Sequence, residues 1–163
     1  MYKLDENEPV TISTIDSNFR KQEVDFPWEK IPLDDMASFM INHPGIYDRD
    51  FISDILEFRN ICDGEFLFDM RDRESPMFIG WVFVVKELNK VQPLFVVNSY
   101  RGMGFGKILM KDAVEHFNAD NLNCFYTNKI AIKLYRELGF MISRKYCNVI
   151  TMKLIRRSNN NER

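Results

Sequence analysis

Seven glycines, three cysteines and two histidines in 163 residues leave several kinds of chemistry short of material. Cys62, Cys124 and Cys147 are odd in number, far apart and without CxxC spacing, which argues against a disulfide framework or a zinc site. They read as small buried or half-buried thiols, and no metal is expected. A formal net charge of −2 supplies no basic field to hold nucleic acid through its phosphates. Apolar runs such as 77-MFIGWVFVV-85 fall short of the roughly 20 residues that cross a bilayer. The opening MYKLDENEPV is acidic and carries no charged-then-apolar signal, so a cytoplasmic protein without membrane or nucleic-acid partners is expected.

What remains is enough apolar material, 45% of the chain, for one domain with a real core. Residues 1–20 are polar and weakly patterned, and 156-RRSNNNER-163 is a low-complexity polar end; both are expected to fray, bounding a single domain over 21–155. Helical spacing marks Leu33, Met36, Ala37 and Met40, then Phe51, Ile55, Phe58 and Ile61 within 48–61. Ahead of these, 21-KQEVDF-26 reads as a short strand.

From Gly64 onward the pattern changes. The runs 65-EFLFDM-70, 77-MFIGWVFVV-85 and 91-VQPLFVV-97 are rich in Val, Phe and Ile and separated by turn-like segments, which predicts an antiparallel meander. Pro93 has no N–H, so the third strand is expected to bulge or splay. A helix to about Phe117, with Phe105, Ile108, Leu109, Ala113 and Phe117 as its apolar stripe, is followed by a strand at 122–126 and a helix over 128–138. Two closing strands, 141–147 and 148–154, complete a mixed α/β sheet with helices on its faces.

Three of the seven glycines crowd into 98-NSYRGMGFGKILMKDAVEHF-117, between a strand and a helix. Such a junction aims backbone N–H groups and the positive end of a helix dipole at one place, which suits an anion, most often a phosphate. A P-loop is ruled out, because Arg101 stands where its first glycine belongs and Ile108 where Ser or Thr must hold magnesium. The dinucleotide fingerprint GxGxxG fails at Lys107 and belongs early in a parallel βαβ unit.

Arg101-Gly102-Met103-Gly104-Phe105-Gly106 does match R/Q-x-x-G-x-G/A, and in this the chain resembles the GNAT superfamily of acyl-CoA-dependent N-acyltransferases. The likeness extends upstream through 94-LFVVNSYRG-102 and downstream to 128-NKIAIKLYRELGF-140, which looks like the family's N-x-x-A-x-x-x-Y-x-x-x-G-F block. It is strong from Gly80 to Leu154. One departure is Asn98, where the family often has proline; asparagine tolerates turn geometry.

The resemblance implies a mixed, mostly antiparallel sheet with helices on both faces and a splayed strand before the glycine loop. It assigns the pyrophosphate of acetyl-CoA to backbone amides from Arg101 through Gly106, with Lys107 either adding positive charge or simply solvated. It assigns the pantetheine arm to the backbone of Phe95, Val96 and Val97, paired as an extra strand, with an N–H near Val97 polarising the thioester carbonyl. Asn128 would cap its helix and contact the cofactor. Tyr135, seven residues on and so on the same face as Ala131, would protonate the departing thiolate, with a core aromatic as its plainer role.

The base that frees the amine is unassigned. The strand 91–97 has no carboxylate, and Glu65, Asp69 and Glu87 read individually as solvated charges; His43 and His116 are weaker candidates. Upstream, Phe26, Trp28, Asp34, Asp35, Tyr47, Asp48, Asp50 and Phe51 mix aromatic and acidic character that would suit a cationic amine, small molecule or protein, or else form an ordinary helix surface. Two functions follow: N-acetyl transfer to a primary amine by direct attack in a ternary complex, or a catalytically weak CoA-binding or interaction module of the same fold. A homodimer is compatible with either.

Overall fold

The computed structural model describes residues 10–15, 21–23 and 62–155. Eight strands form one sheet in the order β2-β1-β3-β4-β5-β6-β8-β7. In chain order these are β1 (Val10–Ile15), β2 (Lys21–Glu23), β3 (Cys62–Asp69), β4 (Met77–Val85), β5 (Lys90–Val96), β6 (Asn121–Phe125), β7 (Phe140–Tyr146) and β8 (Val149–Leu154). Helix α1 (Phe105–Phe117) joins β5 to β6, and α2 (Lys129–Glu137) joins β6 to β7. The helices expected over 33–40 and 48–61, the aromatic and acidic residues around them and His43 lie outside the described residues.

The expected meander is there, β3 and β5 each pairing antiparallel with β4. β4 is buried from Phe78 to Val84 without alternation, because both its faces are covered. One face carries Leu67, Ile79, Val82, Val84 and Val91, packed with Phe105, Leu109, Met110 and Ala113 of α1 and Ile132 of α2. The other carries aromatics, with Phe66, Phe78 and Phe83 around Trp81 and Trp81 stacked on Phe95 at 4.6 Å between centroids. Burying each of these side chains contributes roughly 1.5–3 kcal/mol, which is why β3 to β5 form the rigid middle of the sheet.

The structure departs from the sequence expectation in two places. Val10–Ile15, within the segment expected to fray, is β1 and runs parallel to β3, so the sheet begins ahead of residue 21. Glu65 and Asp69, expected to be solvated, are 1% and 6% exposed, on the same face of β3 as Leu67, which packs in the core with α1. Glu87 is exposed as expected. Of the cysteines whose side chains are described, Cys124 is buried, and burial pushes its thiol up to about 11, while Cys147 is exposed. Among the described residues no helix is long and apolar enough to cross a membrane.

Candidate active site

The site begins with a defect in strand pairing. Val82 pairs with Leu94 and Val84 with Val91, so Gln92 and Pro93 together oppose one residue, Phe83. This is the bulge that Pro93 predicts, since proline cannot supply a ladder hydrogen bond. On its other side β5 pairs in parallel with β6 at only two positions, Lys90–Asn121 and Val91–Leu122. Beyond them β6 pairs with β8 alone as far as Phe125, and a wedge-shaped gap opens between Leu94–Val96 and Asn123–Phe125.

Strand alternation tells which backbone groups of β5 face that gap. The Val97 N–H donates to Ile79 O at 2.8 Å, on the β4 side. The amide named from the resemblance is therefore committed to the sheet. Neighbouring residues in a strand present their N–H and C=O groups to opposite sides, which turns those of Val96 toward the gap. Arg101 Nε donates to Val96 O at 2.9 Å, and its guanidinium carbon lies 6.0 Å from the Phe95 ring centre. This fastens the loop to the end of β5.

After β5 the chain makes a 3-10 turn, Asn98–Tyr100, and then the glycine loop. The Arg101 N–H closes that turn on Asn98 O at 3.3 Å. The amides left for an anion therefore start at Gly102, one residue later than expected. Gly102 and Gly104 have φ of +76° and +90°, and a Cβ at either would meet nothing within 4 Å. These glycines are required by backbone conformation and border open space.

Gly104 caps α1, and Ile108 N–H is bonded to its carbonyl at 3.2 Å. Helix geometry leaves the first-turn amides of Phe105, Gly106 and Lys107 without an intrahelical acceptor. No acidic residue occupies that turn to offset the dipole. Lys107 Nζ lies 3.7 Å from Glu137 on α2, an exposed pair that ties the two helices loosely. Gly106 lies where α1, β5 and α2 converge, with Leu134 and Val96 in ordinary contact distance of its missing Cβ. Open space, positive-φ glycines and uncommitted first-turn amides fit the pyrophosphate of a CoA thioester.

Asn128 caps α2 as expected, its side-chain oxygen accepting from Ala131 N at 3.2 Å. Tyr135, two turns on, is 8% exposed, lies in the core and meets Phe140 edge-on at 6.3 Å. The two share a face of α2, with Asn128 at its exposed end and Tyr135 at its packed end.

One part of the site was not legible in the sequence. Tyr100 Oη donates to Asp69 Oδ2 at 2.9 Å, across 31 residues. The Arg71 guanidinium grips the same carboxylate, its Nε 2.9 Å from both oxygens, and the Arg71 amide donates to Oδ1 at 3.0 Å. The Tyr100 ring packs edge-on against Phe105 at 5.8 Å. This latch fixes the loop to the end of β3. The Arg71 hydrogen bonds hold the Asp69 carboxyl at about 2, against an ordinary 3.8, and burial raises the Tyr100 phenol, which keeps it a donor.

A carboxyl with a lowered folded-state pKa stabilises the fold above its unfolded pKa, and the stabilisation disappears as pH falls through the folded one. Asp69 should therefore contribute roughly 2 kcal/mol near neutrality, lost between about pH 4 and pH 2. In thermal melts Asp69→Asn should melt below the native chain at pH 6, with the difference closing toward pH 2. A difference that does not vary with pH would remove the latch's ionic part.

Among the described residues no group of His, Cys, Asp and Glu converges as a metal site would require. Residues 28–140 match the model of the acetyltransferase (GNAT) family. The chain belongs to that family. The match extends into residues before Gly80, where the sequence motifs alone were weakest. Among solved structures the GNAT-like fold is similar to NAA60 of Arabidopsis thaliana, at 19% identity and TM-score 0.59 over 76% of this chain and 94% of that one. It is also similar to PH1933 of Pyrococcus horikoshii OT3, at 15% identity and TM-score 0.53 over 83% and 95%. A third match is the IAA acetyltransferase of Bacillus cereus ATCC 14579, at 15% identity and TM-score 0.50 over 79% and 95%.

Proposed function

We propose that this GNAT-family chain transfers the acetyl group of acetyl-CoA to a primary amine by direct attack in a ternary complex. The observation that carries the reading is the wedge between β5 and β6 opening beside the glycine cradle at the start of α1. Acetyl-CoA would supply the activated thioester. The amides from Gly102 to Lys107 bind its pyrophosphate, and the gap-facing backbone of β5 up to Val96 pairs with the amide-bearing arm.

This register puts the Val96 N–H, in place of Val97's, where charge develops on the thioester oxygen. Asn128, holding the start of α2 at the mouth of the wedge, lies within the same cofactor-binding region. Tyr135 donates a proton or hydrogen bond to the departing sulfur. That a structural neighbour, NAA60 of A. thaliana, was captured with a bisubstrate analogue is in keeping with direct attack. The acceptor is a protein or small-molecule amine, taken up as the uncharged base because an ordinary ammonium, with a pKa near ~10.4, cannot attack.

Tyr135→Phe tests the acid role. Turnover, read as thiol release over a panel of amines, should fall by about 100-fold while acyl-CoA affinity holds. Unchanged turnover would leave Tyr135 as the core aromatic its packing against Phe140 already makes it. The lack of a carboxylate on β5 and the burial of Tyr135 favour a second reading, a CoA-binding module without turnover. Tight CoA binding with no thiol release on any amine would select it.

A further inference from the structure

We propose that the groove between α2 and β7 binds an acidic, extended polypeptide segment, which adds to the sheet as a strand beside β7. The groove holds about 650 Å³ and is lined by α2 together with Tyr126 and Ile142 of β7. Ile132 and Ile142 form its floor, and Lys129, Lys133 and Arg136 stand along one wall. Spaced at i, i+4 and i+7, these three cations occupy a single stripe of the helix.

Tyr126 closes one end, with the ammonium groups of both Lys129 and Lys145 over its ring at 3.6 and 3.8 Å. Lys145 reaches this face because of a bulge at Ser143. Ile142 pairs with Met152 and Lys145 with Ile150, both buried on the helix-covered face, so one extra residue in β7 re-aims the lysine. Among the described residues no carboxylate lies within 4.0 Å of Lys129, Lys133, Arg136, Arg144 or Lys145. Glu137, the acidic residue of the lining, is paired with Lys107 of α1 at 3.7 Å. The site thus concentrates positive charge on a chain whose net charge is −2.

The second wall is a strand edge. Among the described residues β7 ends the sheet, and Met141 through Tyr146 are all exposed. Such an edge offers a ladder of N–H and C=O groups to an extended chain. Arg144 and Lys145 on that edge repel a second copy of β7 and attract a carboxylate-bearing strand, so charge selects the occupant. Lys129 and Lys133 are about 6 Å apart along the helix, close to one strand repeat, and Arg136 follows about 4.5 Å on, a shortfall that its long side chain can span. Same-face side chains of a strand recur every ~6.6 Å. An incoming segment with acidic residues at alternate positions would lay them along the cationic stripe while its backbone pairs with β7.

The test uses the full chain and a blocked, fluorescent decapeptide alternating glutamate and valine. Its capped amine cannot be an acetyl acceptor, so the outcome is independent of the proposed reaction. Saturable binding that weakens with salt is expected, and Lys129→Glu/Lys133→Glu should raise Kd by about tenfold or more. A glutamate at 129 suits the start of a helix, so the variant should keep its Tm. Binding that this variant leaves unchanged overturns the proposal. Equal affinity for a glutamate–proline peptide of the same charge overturns the strand pairing. Tighter binding of a single-stranded oligonucleotide of matched charge, or a dimer dissociated by the same variant, assigns the groove to another occupant and also overturns it.

Discussion

Gly104→Asp should abolish acyl-CoA binding at ordinary concentrations while leaving the fold nearly intact. Aspartate is among the residues that enter the left-handed region at modest cost, and a Cβ at 104 meets nothing within 4 Å. Little stability should be lost, a change in Tm of a few degrees at most. Binding is another matter, because the new carboxylate would stand among the first-turn amides proposed to hold the pyrophosphate. Two unit charges ~4 Å apart cost about 4 kcal/mol at an effective dielectric near 20. Solvent at this exposed loop reduces that to roughly 2–3 kcal/mol, on the order of a 100-fold rise in Kd for CoA. Gly104→Ala, which adds only the conformational strain, should cost far less. If calorimetry finds Gly104→Asp binding CoA as the native chain does, the glycine loop is not the pyrophosphate site.

The largest effect on stability is expected at Gly80, in the middle of β4. A Cβ there would come within 2.1 Å of the Phe95 carbonyl oxygen and 3.1 Å of Val96 Cα, both backbone atoms of β5. No rotamer relieves such a contact, so Gly80→Ala must push β5 away from β4 and break the Trp81–Phe95 stack. We expect a loss of about 3 kcal/mol, seen as a fall in Tm of roughly 10 °C in urea-free melts. The same displacement moves Val96 and the Arg101 anchor on its carbonyl, so variant protein that still folds should also bind CoA weakly. Gly106→Ala is the contrasting control: its Cβ would sit 3.5 Å from Leu134, an ordinary contact. A Gly80→Ala protein as stable as the native chain would contradict the β4–β5 register on which the site is built.

The β3–β5 meander was legible because Val, Ile and Phe runs are broken by polar turns, and the bulge was legible because Pro93 cannot donate. Asn128 announced itself as a helix cap. The strand-to-helix turn was legible from its glycines, and Gly102 and Gly104 do take the positive φ values that favour glycine. β1 was missed because its six residues, VTISTI, sit between polar neighbours that set the tone of the segment. Alternation told which residues of β3 share a face but not that both faces would be covered, and so Glu65 and Asp69 were misread.

The finer misses were three-dimensional. Nothing local to Tyr100 reveals a carboxylate 31 residues earlier, and nothing in 94-LFVV-97 says which of two adjacent amides the sheet will consume. The second point matters for the proposed mechanism, since the Val97 amide is bonded within the sheet and the proposal therefore turns to that of Val96. The cationic groove has the same character. Lys129, Lys133 and Arg136 look like an ordinary solvated helix face until the bulge at Ser143 brings Lys145 beside them.

Calorimetric titration of CoA into the full chain tests the central claim most directly. Saturable one-to-one binding, lost in Gly104→Asp and retained in Tyr135→Phe, is the result expected of a glycine cradle that holds the donor beside a splayed strand. An absence of binding heat over a range of temperatures would contradict it, and with it both the acetyl-transfer and the CoA-module readings.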